Sequence, residues 1–198
     1  QQVSEKHPDL DIRILEMQTA PTTKALLNGE IDAAIIANQP TEVQLQGDIL
    51  YYEQFYAYVA RNESVFKKEM VRSADISDER LWLLDEGHCF RDQLMRFCQM
   101  EKVKLRQAAY RLGSLETFMR MVESGNGVTF IPELATYQLS EQQKELVRPF
   151  AIPCPTRQII MLTNRSFIRN TLLKTITQEI TAAVPKEMLS LKATQVLV

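Results

Sequence analysis

The stretch Leu81-Trp82-Leu83-Leu84-Asp85-Glu86-Gly87-His88-Cys89-Phe90-Arg91-Asp92-Gln93-Leu94-Met95-Arg96-Phe97-Cys98 decides how the chain reads. Its first four residues are an apolar run of strand length, and they feed a polar loop that ends at a histidine and a cysteine. From there Phe90, Leu94, Phe97 and Cys98 recur at i, i+4, i+7 and i+8, the spacing of one helical face. Strand, loop and helix in succession are the repeating unit of an α/β fold. In such folds reactive residues gather in the loop just past the carboxyl end of a strand.

Two of the three cysteines lie in this stretch. Cys89, at the start of the helix, faces the positive end of the macrodipole and has His88 and Arg91 beside it, conditions that favour thiolate over thiol. It is the candidate reactive thiol. If residues 89–98 are helical, Cys98 lies on the opposite side of the helix and about 13 Å along its axis. A disulfide needs α-carbons within roughly 7 Å. The two thiols could bond only after the helix unwinds, which is the logic of a redox switch.

The remaining composition bounds the class. A chain of 198 residues that is 45% hydrophobic can build one large or two small cores. A net charge of −2 and a pI of about 5.8 leave no basic surface of the kind a nucleic-acid-binding domain carries, so direct DNA contact is not expected. The amino-terminal residues carry no basic-then-apolar signal, and no run is long enough to span a bilayer. The expectation is a soluble piece of a longer protein. An odd cysteine count with a His-Cys pair suits a reducing compartment, hence the cytoplasm.

Along the chain, Leu10 to Ile14 alternates apolar and charged residues as a half-buried strand does. Thr19 falls in a loop, Thr22 or Thr23 caps a short helix ending near Leu27, and Gly29 stops it. Ile31 to Ala37 follows as a strand, which makes a strand-helix-strand unit and a parallel sheet. Tyr51 to Val59 is a long aromatic strand whose rings suit core packing better than base stacking. Ala108 to Leu112 reads as a strand, Ser114 as the cap of a helix, and Ser124-Gly125-Asn126-Gly127 as a helix stop and tight turn before the strand Val128 to Pro132. Ser140 to Glu145 reads as polar surface, and Arg157 opens an apolar run through Leu162. Ile168 to Val184 is an amphipathic helix with Leu172, Leu173, Ile176 and Ile180 on one face, and the tail beyond Pro185 is plain.

The segment Gly87 to Cys98 resembles the redox segment of the OxyR family of peroxide-sensing LysR-type transcriptional regulators. Leu27-Asn28-Gly29-Glu30-Ile31-Asp32-Ala33-Ala34-Ile35 is similar to the L-x-x-G-x-L-D-x-x-I signature of LysR-type effector domains, and Ser114 to Pro132 has a counterpart there. The resemblance implies two Rossmann-like α/β subdomains, as in periplasmic binding proteins. Residues 1–54 and 163–198 would form the first, and 55–162 the second, which carries the redox segment. The chain would cross near 52–58 and 158–164. By the same resemblance Cys89 is the peroxidatic and Cys98 the resolving cysteine, joined by a disulfide after oxidation. Thr19, His88 and Arg157 would bind peroxide or stabilise the thiolate.

It further implies a homodimer through this domain, a tetramer in the full-length protein, DNA contact through an N-terminal helix-turn-helix domain absent from this chain, and contact with RNA polymerase. No cofactor or membrane is implied, and the protein would act stoichiometrically rather than as an enzyme. Three rivals stand beside this reading. A zinc site from Cys89, Cys98, Cys154 and His88 fits no common ligand spacing. A thiol peroxidase would need the same cysteine and rapid recycling. A LysR-type effector domain that senses a small organic ligand between its subdomains would need neither cysteine.

Overall fold

Strand β2, Leu45–Val59, combines aromatic and β-branched residues over 15 positions, and its alternating side chains build two cores at once. The computed structural model describes residues 2–37, 40–76, 80–83, 89–98 and 114–198. The chain divides into two compact units, Gln1–Tyr52 with Gln158–Leu191, and Glu53–Arg157 with Lys192–Val198.

In the first unit, helix α1 is Gln2–Lys6, α2 is Thr19–Leu27, β1 is Ala33–Ile36 and α7 is Asn170–Ala183. Strand β6, Cys154–Asn164, runs antiparallel to β1, with Ala33 opposite Thr163 and Ile36 opposite Ile160. Leu26, Ala34, Leu45, Ile160 and Leu162 make the core. Leu173 is the buried anchor of α7, while Leu172, Ile176 and Ile180 are half-buried on the expected face.

Two expectations fail here. Leu10 to Ile14 is not a strand: Ile14 is 89% exposed and, among the described residues, no strand pairs with it, so the parallel strand-helix-strand unit is not formed. Alternation marks a strand only where a neighbour supplies the ladder. Helix α2 begins at Thr19, within the expected loop, because Pro21 sits in the first turn, where a missing N–H costs nothing. Thr22 and Thr23 lie inside it and donate their hydroxyls to the carbonyls of Gln18 and Thr19 at 2.9 and 3.1 Å. Gly29, at φ +71°, ends the helix as expected.

The second unit is built on β4, Val128–Pro132. It runs antiparallel to β2 and parallel to β3, Leu81–Trp82, and β2 also pairs antiparallel with β5, Val147–Pro149. Phe55, Ala57 and Val59 join Val128, Phe130 and Phe150 on one face, with Phe90 and Leu94 of helix α3, Cys89–Phe97. Tyr58 and Ile131 join Val122, Leu139 and Leu146 on the other, under helix α4, Leu115–Glu123. The sheet is mixed and has helices on both faces.

Local signals explain the connections. Ser114 caps α4 by accepting the amide of Thr117 at 3.2 Å. Gly127, at φ +71°, donates its amide to the buried Glu63 at 3.1 Å, and Arg80 donates to the same carboxylate at 3.0 Å. Helix α5, Glu133–Thr136, follows β4. The polar stretch expected as surface contains helix α6, Glu141–Lys144, because Ser140 and Gln143 form a capping box. The tail contributes β7, Gln195–Leu197, parallel to β6 from Cys154 to Thr156. That ladder gathers residues 192–198 into the second unit rather than the first. The expected strand from Ala108 to Leu112 lies outside the described residues.

Candidate functional site

Helix α3 carries both cysteines of the decisive stretch. Cys89 is its first residue and is half-buried. Cys98 follows its last residue, and the Cys98 amide donates to the Leu94 carbonyl at 2.9 Å, so the helical path continues to it. Phe90 and Leu94 are buried, and Phe97 and Cys98 pack against the same core, the face that the spacing predicts. Arg91 and Gln93 are buried as well, which the spacing does not predict.

Cys89, Cys98 and Cys154 are all free thiols. Burial pushes the Cys98 thiol up to about 11, so it stays protonated at neutral pH. Nine helical steps hold the Cys89 and Cys98 α-carbons about 13 Å apart, roughly twice the reach of a disulfide. Cys154 lies at the start of β6, where its thiol donates to the Phe150 carbonyl at 3.4 Å and burial raises its pKa.

The first turn of α3 is held by aromatic contacts. Phe90 meets Phe55 edge to face at 5.1 Å, and at the far end Phe97 meets Phe150 in the same way at 5.5 Å. The guanidinium of Arg157 lies over the rings of both Phe55 and Phe90, at 5.4 and 5.3 Å. Arg157 thus stands beside the residue that follows Cys89, with its Nε and one terminal nitrogen donating to Glu53 at 2.9 and 2.6 Å. Sequence reasoning missed Glu53. A signal was present: a lone acid inside an aromatic strand needs a cation, and Arg157 is a lone cation opening another apolar run.

Thr19 is the first residue of α2 in the first unit, where its carbonyl accepts the Thr23 hydroxyl. His88 lies outside the described residues. Among the described residues no group of three or more histidines, cysteines and acids is placed to hold a metal ion, and no helix is long and apolar enough to cross a membrane. Chemically, the arrangement offers one half-buried thiol at a helix start and a second half-buried thiol packed against the core, separated by the helix itself.

The LysR substrate binding domain model matches residues 1–185. A probable hydrogen peroxide-inducible genes activator from Mycobacterium leprae is 37% identical over 153 residues, covering 77% of this chain and 49% of that protein. The DNA-binding transcriptional dual regulator OxyR of Escherichia coli is 31% identical over 152 residues, again 77% of this chain and 50% of the relative. The chain spans about half the length of the curated relatives it matches. The crystal structure of reduced OxyR from Porphyromonas gingivalis superposes with a TM-score of 0.90 at 45% identity, covering 99% of this chain and 90% of that one. The reduced OxyR regulatory domain of Pseudomonas aeruginosa gives 0.80 at 30% identity, with 92% and 88% covered.

Proposed function

The chain belongs to the LysR substrate binding domain family and, within it, to the OxyR group, and from that premise we propose that it is the hydrogen peroxide-sensing regulatory domain of a transcription activator. The observation that carries this reading is the placement of Cys89 and Cys98 at the two ends of one helix, one half-exposed and one packed on the core.

The Cys89 thiolate attacks one oxygen of hydrogen peroxide, the O–O bond breaks, and the departing hydroxide takes a proton to leave as water. The resulting sulfenic acid is attacked by Cys98, whose thiol proton leaves with the sulfenic oxygen as a second water while the S–S bond forms. Two thiols are oxidised and one peroxide is reduced to two waters. Thr19 offers peroxide a hydroxyl that both donates and accepts, and His88 and Arg157 favour negative charge on sulfur or on the departing oxygen.

Disulfide closure unwinds α3 and repacks residues 89–100. In the full-length protein this changes the homodimer surface of the domain, and with it how a tetramer sits on DNA through its helix-turn-helix domain and meets RNA polymerase at oxidative-stress genes. The setting is the reducing cytoplasm.

The test is peptide mass mapping after a brief, near-stoichiometric dose of hydrogen peroxide. The expected product is a Cys89–Cys98 disulfide reversed by dithiol, absent in Cys89→Ser, with a trappable sulfenic acid at Cys89 in Cys98→Ser. Slow oxidation spread over all three cysteines would overturn the reading and favour a domain that senses a small organic ligand. Sedimentation of the reduced and oxidised chain tests the dimer surface, and identical association in both states would count against it.

A further inference from the structure

Glu53 is a carboxylate in an apolar place. It is 2% exposed, and both of its oxygens are used. Oε2 accepts from Arg157 at 2.9 and 2.6 Å, and Oε1 accepts the Leu134 amide at 3.1 Å. The carboxylate is thereby fixed to the backbone in the first turn of α5, and it fixes the guanidinium in turn. The guanidinium rests over Phe55 and Phe90, which meet edge to face, and Phe90 directly follows Cys89. A continuous series of contacts therefore runs from the α5 backbone to the helical turn that carries the reactive thiol.

A guanidinium with little water around it stays where its charge is answered. Glu53 gives that answer, and the same guanidinium holds the carboxylate and the two rings at once. We propose that Glu53 is a positioning residue for the thiol switch: through Arg157 and Phe90 it holds the first turn of α3 docked, and so sets the equilibrium between the dithiol and the Cys89–Cys98 disulfide. This inference rests on the disulfide reading given above. The disulfide requires α3 to open, so a contact made only while α3 is docked favours the dithiol, and loosening it favours the disulfide.

Glu53→Gln tests this by removing the charge while keeping the shape and an acceptor for the Leu134 amide. The chain is equilibrated in mixtures of reduced and oxidised dithiothreitol, and the fraction carrying the Cys89–Cys98 disulfide is read by mass spectrometry. The equilibrium constant for disulfide formation is expected to rise about tenfold, the equivalent of one weakened charged hydrogen bond. Phe90→Leu, which leaves the ion pair in place and removes the ring, shifts it in the same direction and serves alone if Glu53→Gln does not fold. A purely structural role would lower the thermal stability of both redox forms and leave this constant unmoved, and that result would overturn the inference. A wild-type chain that forms no Cys89–Cys98 disulfide overturns the proposed function and this inference together. A wild-type disulfide with unmoved variants overturns the inference alone.

Discussion

Tyr58, fully buried on β2, donates its hydroxyl hydrogen to Oε1 of Glu123 at 2.9 Å, joining the central strand to the last turn of α4. Gln143 donates to the same oxygen at 2.8 Å, and Arg120 to the other at 2.8 Å. Burial, and then the bond to Glu123, push the Tyr58 hydroxyl well above the usual phenol range. Burial alone would raise the Glu123 carboxyl, but the hydrogen bonds from Gln143, Tyr58 and Arg120 outweigh it and hold the carboxyl below its usual range.

A depressed carboxyl contributes stability that is present above its unfolded pKa, about 4.3, and is lost as pH falls through the lower folded value. Tyr58→Phe should cost about 1.5–3 kcal/mol at pH 7, the worth of a hydrogen bond to a charged group. Glu123→Gln should lose less stability than wild type between pH 7 and pH 3. Urea unfolding at the two pH values measures both effects, and parallel losses in Glu123→Gln and wild type would remove Glu123 from the account.

The two glycines at φ +71° should respond differently to a methyl group. At Gly127 an added Cβ would overlap the carbonyl oxygen of Arg80, on a turn clamped by Glu63. Nothing lies within 4 Å of the same position at Gly29. Gly29→Ala should cost about 1 kcal/mol, the price of left-handed backbone alone, and Gly127→Ala about 3 kcal/mol or more. Denaturation midpoints in urea report the difference, and equal costs would contradict the clamp.

Cys98 should make the reduced chain sensitive to alkali. Its folded pKa is raised by burial to about 11. The stability gained by keeping the thiol neutral is therefore fully present below the unfolded value of about 8.5, and is lost as pH rises towards the folded one. Alkylation of native Cys98 should accelerate about tenfold per pH unit up to that point, since only the thiolate reacts. A rate that levels off near pH 9 would show that the thiol is not held in its buried place.

Cys154→Ser should leave peroxide-induced formation of the Cys89–Cys98 disulfide unchanged. The Cys154 thiol is raised by burial and engaged with the Phe150 carbonyl, on a different element from α3. Mass mapping of the variant after peroxide checks this, and a lost or slowed disulfide would give Cys154 a part in the switch.

Helix α3, the cap at Ser114 and the Gly125–Gly127 turn could be read from the chain because each depends on residues within a few positions of one another. The strand expected at Leu10 to Ile14 could not, because a strand is defined by a neighbour that local alternation does not report. The same limit applies to the tail, where β7 exists only through its ladder with β6. At the candidate site, Cys89 and Cys98 were singled out by residue type and spacing, and Arg157 by the resemblance. Glu53 stood out less: its one signal is a lone acid in an aromatic strand, and the cation that answers it is 104 residues away.

On the proposed reading, the helix between the two sulfurs also acts as a clock. The first step, at Cys89, speeds up with peroxide concentration, whereas the second cannot run faster than α3 opens. While the helix stays closed, the sulfenic acid is exposed to a second molecule of peroxide, which carries it to sulfinic acid and beyond recovery by thiols. The strength of the contacts that dock α3 therefore sets an upper dose as well as a threshold. Above that dose the sensor is destroyed rather than switched, and the ceiling lies where peroxide arrives as fast as the helix opens.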